Sequence, residues 1–111
     1  QVGFEAVKAE YEALAKANEN SWRILFSIAN VFSYNEYFKE AIPMWQKTFD
    51  CMPKPRYTDS FEAMAQCCVR MGDHESAVEY YKKELELLRE DWGLKYGAEV
   101  DALEEKIRAL Q

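Results

Sequence analysis

Apolar residues return at steps of three and four along most of this chain, the spacing that gathers them on one face of an α-helix. Leu25, Ile28, Ala29 and Phe32 form one such stripe, and Ala41, Ile42, Trp45, Phe49 and Met52 form a second. A shift of 36 residues reproduces both without a gap: Phe61, Met64, Ala65 and Cys68, then Ala77, Val78, Tyr81, Leu85 and Leu88. Nine apolar matches in one register define an internal repeat, each unit holding two amphipathic helices.

The breaks between stripes carry their own chemistry. Asn35-Glu36 interrupts the first unit and Gly72-Asp73 the second. Gly72 tolerates the left-handed conformation that ends a helix, and Asp73 is suited to cap the next one. Ser21 or Asn20 is expected to cap a helix starting at Trp22, and Asp59 with Glu62 offers a capping box for a helix starting near residue 59. Pro53 and Pro55 close the first unit, since neither can donate to a continuing helix. Ala29, Ala41, Ala65 and Ala77 leave room for paired helices to approach, while Trp45 and Tyr81 fill the wider space one turn on.

Two further helices are expected at the ends. Residues 3–18 place Phe4, Val7, Tyr11, Leu14 and Ala15 on one side. A shift of 34 residues sets Phe4, Val7, Tyr11 and Ala15 on Phe38, Ala41, Trp45 and Phe49, so this helix is either the second half of a truncated repeat or a simple cap. At the other end Val100, Leu103, Ile107 and Leu110 keep helical register, with Glu104, Glu105, Lys106 and Arg108 outside. Such a helix closes the open end of a stacked array. Between it and the second unit, Gly93 and Gly97 indicate a turn, with Trp92 packed beneath.

Composition narrows the functional classes. With 49% hydrophobic residues the 111-residue chain is expected to fold, and a net charge of −6 with scattered Lys and Arg argues against nucleic-acid contact by this segment. The three cysteines, Cys51, Cys67 and Cys68, lie in apolar stretches without zinc-ligand spacing, as in reduced buried thiols. No apolar run has membrane-spanning length. The opening Gln-Val-Gly, without a methionine, is expected either of a piece of a larger protein or of a processed N-terminus. The one histidine, His74, has no cysteine or metal-ligand cluster beside it, and no phosphate-cradling glycine loop occurs. The acidic runs Glu84 to Glu90 and Glu99 to Glu105 read as solvated helix faces. No catalytic residue, cofactor or metal is therefore expected.

The unit resembles the tetratricopeptide repeat. The resemblance is carried by Leu25, Ile28, Ala29, Phe32, Ala41, Trp45 and Pro53, then by Phe61, Met64, Ala65, Gly72-Asp73, Ala77 and Tyr81, and covers residues 22–90. Departures are Cys68 in place of an aromatic, Glu84 in place of a small residue, and a linker around Lys54 to Tyr57 that lengthens the period. The resemblance implies an all-α, right-handed superhelix of about six helices: residues 1–20, repeats at 22–57 and 58–91, and a cap at 92–111. It also implies a concave surface lined by the first helix of each unit, which holds a protein or peptide without catalysis. On that surface the sequence places Arg23, Phe26, Asn30 and Tyr34 from one unit and Asp59, Glu62, Gln66 and Arg70 from the next. Aromatics and Arg supply contact area, and the amides can bond a peptide backbone. The basic clamp some members use for acidic tails is missing, because Phe26 and Glu62 stand where lysine would be needed; a partner of apolar and basic character suits these charges. Leu88 to Leu94 followed by Gly97 to Leu103 is similar to the tail of helical-repeat domains in bacterial transcription regulators, which implies a cytoplasmic regulatory parent. A scaffold or self-associating domain, forming a homo-oligomer through the N-terminal helix, is the alternative.

Overall fold

The computed structural model describes residues 2–111; Gln1, with which the sequence opens, lies outside them. These residues form six α-helices: α1 (Val2–Ala17), α2 (Trp22–Tyr34), α3 (Phe38–Asp50), α4 (Asp59–Arg70), α5 (His74–Trp92) and α6 (Ala98–Leu110). No strand occurs among the described residues. Each helix packs on the next in sequence, giving an all-α, repeat-like slab of 44 × 31 × 18 Å.

The repeat is written into the backbone as well as the side chains. At the end of α2, Asn35 N–H donates to Val31, Glu36 to Ser33 and Tyr37 to Phe32; 36 residues later, Met71 donates to Cys67, Gly72 to Val69 and Asp73 to Cys68. The paired bonds agree to 0.1 Å, as 3.1 and 3.0, 3.0 and 3.0, and 2.9 and 2.8 Å. Gly72 has φ +80° and its counterpart Glu36 has φ +67°, so the same left-handed turn is made once with glycine and once against the steric preference of a side chain. Asp73 then accepts from the Ser76 N–H at 3.1 Å and caps α5, and Ser21 caps α2 through the Ile24 N–H.

All nine matched pairs are buried or half-buried. Ala29, Ala41, Ala65 and Ala77 have no exposed surface at all, in keeping with close helix approach. One cluster joins α1 to α5 around Phe4, Phe32, Trp45, Phe49, Phe61 and Met64; a second gathers Cys68, Val78, Tyr81, Leu88, Val100, Leu103 and Ile107 under α6. Phe4 meets Phe32 edge-on at 5.0 Å, and Lys8 reaches Glu40 at 3.1 Å, so α1 is fixed to both helices of the first unit.

Four expectations need correction. The cap of α4 is Thr58, and neither Asp59 nor Glu62 forms a capping box: Asp59 is already helical, and Glu62 turns to Lys106 at 3.3 Å. Leu14 is 46% exposed and takes no part in the core contacts made by Phe4, Val7, Tyr11 and Ala15. Glu84 belongs to no solvated face, being only 3% exposed. Trp92 ends α5 about half exposed, and its indole N–H donates to the Arg56 carbonyl at 2.7 Å. It therefore leans on the loop before α4 and not under the glycine turn.

Candidate functional site

A cleft of about 340 Å³ opens between α2 and α4. Its two sides are first helices of successive units, and its floor comes from the repeat-matched aromatics Trp45 on α3 and Tyr81 on α5. Asn30 and Ser33 line it from α2; Gln66, Cys67 and Arg70 line it from α4. A shallower depression of about 200 Å³ continues it along the same helices, bounded by Phe26, Asn30, Asp59, Glu62 and Gln66. Asn30, Trp45, Ala63 and Gln66 are common to both, so the two form one groove.

Polar groups on the floor are fixed by short bonds. Trp45 Nε1–H donates to Ser33 Oγ at 2.8 Å, and Ser33 Oγ lies 3.6 Å from Cys67 Sγ. Burial pushes the Cys67 and Cys68 thiols above their ordinary values, which disfavours a thiolate nucleophile there. Asn30 and Gln66 are both exposed. Gln66 contacts Glu62 at 3.4 Å, leaving amide hydrogen-bonding capacity on both walls for a ligand. Charge is graded along the groove: Asp59 and Glu62 stand at one end, and Arg70 at the other pairs with Glu36 at 3.1 Å over the Phe38 ring.

Of the eight residues singled out from the sequence, six line this groove: Phe26, Asn30, Asp59, Glu62, Gln66 and Arg70. Phe26 is half-buried and packs edge-on against Trp45 at 5.1 Å, making it part of the wall. Arg23 lies over the Trp22 ring at 4.8 Å and Tyr34 is 82% exposed at the end of α2, and neither lines the groove.

No family model matches the chain, and no curated protein is significantly similar to it.

Several contributors escaped the sequence pattern. Ser33 and Cys67 match Val69 and Val31 in the repeat register, near the stripes but not on them, and only the need of the Trp45 indole for an acceptor signals Ser33. Asp91 accepts from the Arg56 backbone N–H, Nε and Nη2 at 2.8, 2.9 and 3.0 Å, across 35 residues of sequence. The guanidinium holds this carboxyl well down, at about 2, and ties the loop before α4 to the end of α5. His74 is exposed at the start of α5, and no three His, Cys, Asp or Glu side chains among the described residues are grouped to hold a metal. No described helix is long and apolar enough to cross a membrane.

Proposed function

We propose that the chain is a non-catalytic tetratricopeptide-type module that holds an extended polypeptide segment in the α2–α4 groove. The single observation carrying this is the groove itself: exposed Asn30 and Gln66 on facing walls above the Trp45 and Tyr81 floor. Amides placed so can bond a peptide backbone whatever its side chains, while the half-buried rings of Phe26 and Phe38 supply apolar contact beside them. The repeat register of the end-of-helix hydrogen bonds supports the family reading, and the raised thiols and lone exposed His74 favour binding over catalysis. The tail from Leu88 to Leu103 favours a cytoplasmic, bacterial regulatory parent, with a scaffold as the second choice.

The test is selection of binders from a random dodecapeptide library against the isolated chain. The Asn30→Ala, Gln66→Ala double variant should then lose about 1–3 kcal/mol of affinity for the selected peptides, at unchanged helix content. Failure to select any peptide, or binders indifferent to both substitutions, would falsify the proposal.

A further inference from the structure

Asp59 walls a second cleft too, of about 400 Å³, where the start of α4, the end of α5 and the start of α6 meet. Its apolar surface comes from Tyr57, Leu88, Trp92 and Leu94; its charge comes from Asp59 and Glu99. The Tyr57 and Trp92 rings stack with centroids 6.3 Å apart and planes 28° from parallel, both about half exposed. They are held in advance: the Trp92 indole N–H is bonded to the Arg56 carbonyl, and Arg56 is locked by Asp91. No Lys or Arg lines the cleft, and neither Asp59 nor Glu99 has a salt-bridge partner among the described residues.

Pre-set aromatic faces beside unpaired carboxylates attract an organic cation through the ring quadrupole and direct charge pairing. We propose that this cleft receives one basic side chain, arginine or lysine, of the polypeptide lying in the α2–α4 groove. The occupant follows from continuity and charge: Asp59 borders both clefts, so a segment leaving the acidic end of the groove passes directly over the second cleft. A planar guanidinium can stack on Trp92 while its N–H groups reach Glu99 or Asp59, which makes arginine the better fit. The assignment rests on the peptide-binding reading above.

The experiment keeps the two apart by using a probe too small for the groove. N-acetylarginine amide is titrated into the folded chain and the indole N–H resonances of Trp22, Trp45 and Trp92 are followed; the neutral isostere N-acetylcitrulline amide is the control. The arginine probe should shift the Trp92 signal saturably, more than that of Trp45, and the citrulline probe should not. Glu99→Gln with Asp59→Asn, checked for unchanged helix content, should weaken the arginine response at least five-fold. Equal response to both probes, no Trp92 response, or an unaltered response in the double variant overturns the proposal, and each leaves groove binding through Asn30 and Gln66 standing. Loss of groove binding with the Trp92 response intact would overturn the peptide reading, and with it the source of the basic side chain, while leaving a cation-binding cleft.

Discussion

Glu84 takes the place that Thr48 holds one unit earlier, and the two solve burial differently. Thr48 donates its hydroxyl to the Met44 carbonyl at 2.7 Å, whereas Glu84 leaves Oε1 unbonded. Burial first, then Glu62, Glu99 and Asp59, push the Glu84 carboxyl up to about 8 against the partial relief of Lys106. The native state therefore keeps this proton where the unfolded chain releases it near 4.5. A group whose folded pKa is raised in this way stabilises the protein less as pH rises, here from about 4.5 until it ionises at about 8, with a slope of up to about 1.4 kcal/mol per pH unit. Glu84→Gln, which cannot ionise, should flatten stability against pH between 5 and 8 in denaturant melts. An equally steep fall in the variant would assign the pH dependence to other groups. The left-handed turns give a second residue-level contrast. Nothing lies within 4 Å of a Cβ built at Gly72, so Gly72→Ala should cost about 1 kcal/mol from the backbone alone. Glu36→Gly should cost nothing in the same melts, since it removes strain and only an exposed ion pair.

At the level of elements, close approach within each hairpin depends on methyl-sized residues. Ala77→Leu should overpack the α4–α5 contact and lose about 1–3 kcal/mol, read as a lower denaturant midpoint at constant slope. These helices were legible in advance because amphipathic period, Gly72-Asp73 and Ser21 all act within a few residues of one another. The cap of α4 was not, since Asp59 and Glu62 satisfy the local rule for a capping box while Lys106, 44 residues away, engages Glu62 instead. The loop before α4 has the same origin. Its anchor is the Arg56–Asp91 fork, and Asp91→Ala should speed amide exchange at Arg56 to Thr58 and unsettle the Trp92 indole. Unchanged exchange there would mean that the ring contacts alone fix the loop.

Across the whole molecule, stacking two matched hairpins brings α2 and α4 side by side and leaves a groove that neither hairpin has alone. Much of its wall could be read from helical phase, which is why Asn30 and Gln66 face one another. Phase gives direction around a helix but not what neighbours do to each side chain, so the stacking of Arg23 on Trp22 and the high exposure of Tyr34 were hidden. The burial of Glu84 was hidden for a related reason: an acid in a charged run looks solvated until α6 is laid over it. The most direct measurement of the central claim is an amide chemical-shift map of the chain titrated with a library-selected peptide. Changes should concentrate on α2 and α4 between Phe26 and Ser33 and between Asp59 and Arg70. Changes centred on α1 or on the outer faces of α3 and α5 would contradict it.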